Sequence, residues 1–233
     1  MTTQSRSVCR IFARHSTGQQ TASNGVFISP DQVMTALHCL SSMKTGDILF
    51  ENTYGERTSY LPKAEGGRIL VDRAHDLAVI TLKKPVGRHF SLPVDSMPAT
   101  AVKDFRLHTR HIQDAPENFR VCSTPFTNSA EGIRTLIETT DGEYKGAVFL
   151  SEKQLRHGHS GSPILDEHGR LVTVVMGNAM PHSQQILQEG IQRASGLAFD
   201  FLAVPPGAVQ RLIAQLDDVE PAVVTGAQRT CKP

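Results

Sequence analysis

The sequence predicts an all-β fold closed by one C-terminal helix. Three observations carry this. At least nine short apolar runs, each bounded by Gly, Pro, Asn or Asp, punctuate the chain from residue 7 to residue 177. Short strands separated by turn residues at this spacing point to a sandwich or a pair of barrels. Only one later stretch has a helical period. The 233 residues, 39% hydrophobic and 20% charged, suit one large all-β unit or two small domains with a sizeable core.

In chain order, "SVCRIFARH" alternates weakly, and "NGVFIS" and "DQVMTALHCL" flank a Ser-Pro-Asp turn. "GDILFEN", "GGRILVD" and "HDLAVITL" follow, and then "NFRVCSTP", "GIRTLIET", "GAVFLSE" and "GRLVTVVMG". Residues 93–118 are rich in Pro, Asp and polar side chains and read as a linker between two halves. The predicted division is an N-terminal half over 5–92, a C-terminal half over 119–204 and a helix over 205–217. Pro205 and Pro206 open that helix, and Val209, Leu212, Ile213 and Leu216 fall on one face. Residues 218–233 have no period and read as a flexible tail.

Bulk properties exclude several partner classes. A formal net charge of +1 gives no broad pull toward nucleic acid or anionic membrane. No apolar run reaches the ~18 residues of a membrane span. The first thirty residues hold no apolar stretch of the ~7–15 residues found in a signal peptide. The expected compartment is the cytoplasm, with export only by a route independent of a signal peptide. Cys9, Cys39, Cys122 and Cys231 lack paired spacing and read as free thiols.

The chemistry concentrates in "RHGHSGSPILDEHGRLVTVVMG", residues 156–177. Gly, Ser and Pro there would serve a plain turn. Ser160 could equally be a nucleophile. A serine hydroxyl then needs a base within hydrogen-bond reach, and the base needs a third group to fix its tautomer. His38 lies at the end of a predicted hairpin, and Asp76 directly precedes an apolar strand, where an acid can be half buried beside an imidazole. Asp72 competes with Asp76 for this role. His38 could instead be a core histidine. His157 with His159, and His108 with His111, could bind zinc, but no Cys or acid falls at ligand spacing, so they read as surface histidines and no metal or other cofactor is expected. Cys39 reads as a small packed hydrophobe.

Three of these stretches, in this order, resemble the trypsin family. "GVFISPDQVMTALHC" is similar to the strand and turn leading to Thr-Ala-Ala-His-Cys, "HDLAVITL" to the Asp-Ile-Ala-Leu-Leu strand, and "GHSGSPI" to the Gly-Asp-Ser-Gly-Gly-Pro loop. The ending "GLAFDFLAVPPGAVQRLIAQL", residues 196–216, resembles the HtrA/Deg protease domain, here without a PDZ module. The resemblance spans roughly residues 5–217 of a unit taken as 1–217.

It implies two packed six-stranded β-barrels, chymotrypsin-like, with His38 and Asp76 on the first and Ser160 on the second. It also implies a serine endopeptidase acting on protein or peptide substrates through a Ser-His-Asp triad and an acyl-enzyme. Gly158 and Ser160 would supply the oxyanion N–H groups, each worth about 10²–10³ in rate. Gln154 would lie at the floor of the primary pocket, with Leu155, Met176, Gly177 and Asn178 on its walls, giving a neutral, partly apolar site.

Departures matter too. His159 replaces the family's acid before the serine, so activation by N-terminal cleavage is not expected. Ser23 stands where the partner of Cys39 would be, and Ser162 replaces a second glycine. With the acid gone, nothing in the sequence pins the Gly158 amide, and an activating protein partner that orders residues 153–160 is one expectation. A dedicated intracellular or effector-type protease is the leading reading. A catalytically silent trypsin-fold binding module is the alternative.

Overall fold

The computed structural model describes residues 6–14, 18, 20–44, 47–92, 104–110, 116–123, 133–139, 142–178, 197 and 199–217. The strands of the first half are β1 (Val8–Arg14), β2 (Gln20–Ser29), β3 (Gln32–Ala36), β4 (Asp47–Glu51), β5 (Arg57–Thr58), β6 (Ile69–Asp72) and β7 (Leu77–Thr81). Those of the second are β8 (Asp104–Thr109), β9 (Glu117–Ser123), β10 (Ile133–Thr139), β11 (Gly142–Ser151), β12 (Pro163–Leu165), β13 (Leu171–Asn178) and β14 (Phe199–Ala203). One helix, α1 (Pro206–Asp217), follows.

All ladders are antiparallel. The first sheet runs β5-β4-β1-β2-β3-β7-β6, and the second runs β10-β11-β14-β13-β12-β8-β9. An added β11–β9 ladder, Phe149↔Ser123 to Ser151↔Val121, closes six strands of the second sheet into a barrel and leaves β10 as a flange. Among the described residues no ladder joins β5 to β6, so the first sheet curls as a seven-strand half-barrel instead of closing with six strands. The all-β, chymotrypsin-like class with a C-terminal helix is as expected.

The stretch 93–118 differs from its reading as a linker. Asp104–Thr109 is strand β8, paired with β9 from Asp104↔Cys122 to Thr109↔Glu117, so this part of it is barrel wall. Its polar sequence hid the alternation: Phe105 and Leu107 are buried in the barrel, and the residues between them face the other way. The tail 218–233 lies outside the described residues.

Strand periodicity divides the apolar side chains between cores. On β2, Phe27 points into the first sheet's core while Val26 and Ile28 point to the seam between the halves. On β7, Ala78 and Ile80 go inward, and Leu77 and Val79 meet the seam. Successive side chains of a strand face opposite sides, so these strands are apolar on both faces. From the second half Leu165, Leu171, Val174, Met176, Leu202 and Val204 complete the seam. Helix α1 lays Ala208, Val209 and Leu212 on it, with Ile213 and Leu216 partly buried, matching the predicted face. Each large aliphatic side chain buried here contributes about 1.5–3 kcal/mol.

His108 and His159, expected at the surface, are 2% and 3% exposed. Among the described residues neither ring nitrogen of His108 has a hydrogen-bond partner. Burial, and then the nearby Arg106 charge, push its pKa down from 6.5 to about 4. The unfolded chain therefore binds a proton that the native state refuses, and stability falls as pH drops from about 6.5 toward 4. The loss amounts to about 3 kcal/mol. Denaturant unfolding at pH 7.5 and 4.5 should show His108→Leu losing less stability over this window than the wild type does. An identical loss would refute the assignment.

Candidate active site

His38 is the second residue of a 3-10 turn, Leu37–Lys44, that leaves the end of β3. Ala36 pairs with Leu77, so the chain exits β3 beside the residue that enters β7, which is Asp76. Three contacts join the two exits. The Leu37 N–H donates to the Asp76 carbonyl at 2.8 Å, and the His38 N–H donates to Asp76 Oδ1 at 2.9 Å. His38 Nδ1 lies 2.6 Å from Asp76 Oδ2. Asp76 has φ 52, the left-handed region that Asp enters more readily than most residues. This bend turns its carboxylate back toward His38.

The Asp76 side chain is fully buried. A buried carboxylate needs partners, and here each oxygen has one. The donor on its Oδ2 side must be His38 Nδ1–H, which leaves Nε2 as the basic nitrogen. Asp72, the competing acid, is taken by His75 at 2.7 Å.

His38 Nε2 has Cys39 Sγ at 3.8 Å. Burial pushes the imidazole pKa down, but the Cys39 contact and the Asp76 carboxylate outweigh it, and the net shift is upward from 6.5. Cys9, Cys39 and Cys122 are free thiols, all buried, and Cys231 lies outside the described residues. Among the described residues no group of three or more metal-ligating side chains occurs.

Ser160 sits on the loop between β11 and β12. Its Oγ donates to the Met176 carbonyl at 3.2 Å, and among the described residues no hydrogen bond joins it to His38. The preceding turn is well defined. The His159 N–H donates to the Arg156 carbonyl at 3.1 Å, and Gly158 has φ 94. Asp76 is the one described non-Gly residue with positive φ, so His157 has negative φ. That combination is a type II turn, which needs glycine at its third position. The N–H groups of Gly158 and Ser160 have no partner among the described residues. The next residue, Gly161, has φ 76, and a Cβ there would lie 1.9 Å from the Asn24 carbonyl oxygen. Glycine is obligatory in this position.

The anchor missing from the sequence is present in the structure. His159 is buried, its ring 6.3 Å from Phe119, and its Nδ1 accepts the Arg156 N–H at 3.4 Å. From the other half, Asn24 donates to the Gly158 carbonyl at 2.6 Å. Sequence reasoning missed Asn24 because it reads as the ordinary polar start of the run "NGVFIS", with its partners distant in the chain.

The expected pocket residues are dispersed. Gln154 is exposed and Gly177 half-buried. Leu155 is 4% exposed and packs into the second barrel's core, and Met176 is 1% exposed in the seam, so neither side chain lines an open pocket wall. Asn178 ends β13, opposite Phe201.

A two-sheet β fold with a buried Asp-His pair on one half and a glycine-flanked serine on the other has the layout of trypsin-type proteases. Residues 23–174 match the trypsin-like peptidase domain. The chain belongs to that family and is a trypsin-like serine protease, whose substrates are proteins.

Solved structures of the same fold include the active form of the Rv3671c protease from M. tuberculosis, at 15% identity and TM-score 0.65, covering 94% of this chain and 84% of that one. The MamO protease domain from Magnetospirillum magneticum is similar at 16% identity and TM-score 0.59, covering 90% and 97%. The serine endoprotease from Yersinia pestis is similar at 13% identity and TM-score 0.58, covering 91% and 63%. Identities this low bear on the fold alone. No curated protein matches the sequence. Among the described residues, no helix is long and apolar enough to cross a membrane.

The upward shift of His38 has a kinetic consequence. With His38 as the general base, which works only when neutral, the acid limb of kcat/KM should lie above pH 6.5. Asp76→Asn should move that limb down while costing about 10⁴ in kcat. A pH–rate profile checks this, and a limb unmoved by Asp76→Asn would contradict the role given to the carboxylate.

Proposed function

We propose that Ser160, His38 and Asp76 act as a nucleophile–base–orienter triad that hydrolyses peptide bonds through an acyl-enzyme. The observation that carries this is the double contact of buried Asp76 with the His38 backbone and ring. It leaves Nε2 as the proton acceptor, the arrangement a serine nucleophile needs.

In the proposed cycle, rotation about the Ser160 Cα–Cβ bond carries Oγ from the Met176 carbonyl toward His38. Staggered side-chain wells interconvert readily, so the resting hydrogen bond is a small obstacle. Oγ attacks the scissile carbonyl carbon as Nε2 takes its proton. The carbonyl oxygen becomes an oxyanion and is received by the Gly158 and Ser160 N–H groups. Collapse expels the amine, which takes the proton from His38, and leaves an ester on Ser160. Water, deprotonated by Nε2, then hydrolyses the ester. Asp76 stays ionised throughout and stabilises the imidazolium.

The type II turn and the contacts of Asn24 and His159 favour an oxyanion site that is formed in the isolated chain, with no activating partner required. We read the protease unit as residues 1–217 and its substrates as a dedicated intracellular or effector-type set of proteins.

A second reading has one observation in its favour. The Ser160 hydroxyl is engaged by Met176 and not by His38, as a silent binding module would allow. A fluorophosphonate probe separates the two readings. The wild type should label at Ser160. Ser160→Ala should not label, and His38→Ala should label at least about 10³-fold more slowly. Circular dichroism should show both variants folded. A wild type that stays unlabelled, or labels as fast as His38→Ala, would favour the silent module.

A further inference from the structure

We infer that Asn24, in strand β2, is a positioning residue that sets the Ser160 loop against the half of the protein bearing His38. The inference rests on the reading of Ser160 as nucleophile.

Asn24 is fully buried, on the opposite half from Ser160. A buried amide must place two donors and an acceptor, and Asn24 places all of them across the seam. Its Oδ1 accepts the Arg110 N–H at 3.0 Å. Its Nδ2 donates to Thr109 Oγ1 at 3.2 Å and to the Gly158 carbonyl at 2.6 Å. The Arg110 N–H can only donate and the Gly158 carbonyl can only accept, so the amide has one permitted orientation.

The Asn24 backbone is equally committed. Its N–H donates to the Ser160 carbonyl at 2.9 Å, and its carbonyl accepts the Thr35 hydroxyl at 2.6 Å. Arg110 is itself held, with Nη1 donating to the Asn52 carbonyl at 2.9 Å and the guanidinium near buried Glu51.

Two consequences follow. The carbonyls of Gly158 and Ser160 are both fixed by one residue, so the peptide carrying the Ser160 N–H lies between two clamped peptides. The oxyanion donors then keep a constant separation, and such preorganised donors need no reorientation as charge develops. The second consequence concerns the base. Thr35 lies on β3, three residues before His38, and Asn24 links it directly to the serine loop. The spacing between nucleophile and base is therefore set by a short chain of hydrogen bonds as well as by the apolar seam. A misplacement of about 1 Å in such a pair costs about 10²-fold in rate.

Asn24→Asp in the full chain is the first test. It keeps the volume and the Arg110 contact but sets a carboxylate oxygen against the Gly158 carbonyl. Asn24→Ser, which keeps the backbone contacts and loses the reach to Gly158, is the second variant if the first does not fold. Peptide kinetics, fluorophosphonate labelling per folded molecule and hydrogen exchange over residues 156–162 are measured together. We expect kcat and the labelling rate to fall about 10²-fold, with KM changed less than threefold, and exchange in the loop to quicken. A residue that merely fills the core would lower the melting temperature and leave the rate per folded molecule and loop exchange unchanged, which would overturn the inference. Quicker exchange with an unchanged rate would overturn it as well. A wild type inert to the probe whose loop still loosens in the variant would leave the clamp standing and remove the catalytic reading of Ser160 instead.

Discussion

The whole arrangement depends on two curved sheets meeting face to face over one apolar seam. Val26, Met34, Leu77 and Val79 belong to one half, and Leu165, Leu171, Val174, Met176, Leu202 and Val204 to the other. The residues of the proposed triad are split between the sheets, His38 and Asp76 on the first and Ser160 on the second. Close packing resists small displacements, so the seam turns two separately folded surfaces into one rigid geometry. The polar contacts at its rim then refine what the apolar contacts hold.

Three polar side chains at this rim are committed. Asp76 is buried with both oxygens engaged, Asn24 has no spare donor or acceptor, and His159 replaces an expected carboxylate with a buried ring and one accepted N–H. The described contacts that hold the loop are packing and the hydrogen bonds of Asn24 and His159.

Much of this was legible in the sequence. The strands β1–β4, β6, β7, β9–β11 and β13 and helix α1 coincide with runs that turn residues delimit, since Gly, Pro and Asp stop strands wherever they occur. Strands apolar on both faces, such as β7, show as continuous runs. Strands β5 and β12 are two and three residues long, too short to show a period. Strand β8 is hidden because Asp104, Arg106 and His108 alternate with its core residues. His38 and Asp76 were legible as separate residues, and their contact comes from the β3–β7 register. Leu155 and Met176 were assigned to a pocket by counting along the chain, but Leu155, on the loop after β11, packs into the second barrel's core, and strand alternation turns Met176 into the seam. Asn24 could not be found from sequence, because its partners Thr109, Arg110, Gly158 and Ser160 lie more than eighty residues away.

Helix α1 comes last in chain order and yet supplies Ala208, Val209 and Leu212 to the seam. During synthesis the N-terminal elements emerge first and domains fold as units. Both sheets therefore leave the ribosome before the surface between them is covered. Until residues 206–217 emerge, a nascent chain carries an uncovered apolar strip and an unfinished junction between its halves. The order of elements thus delays completion of the seam until residues 206–217 have left the ribosome.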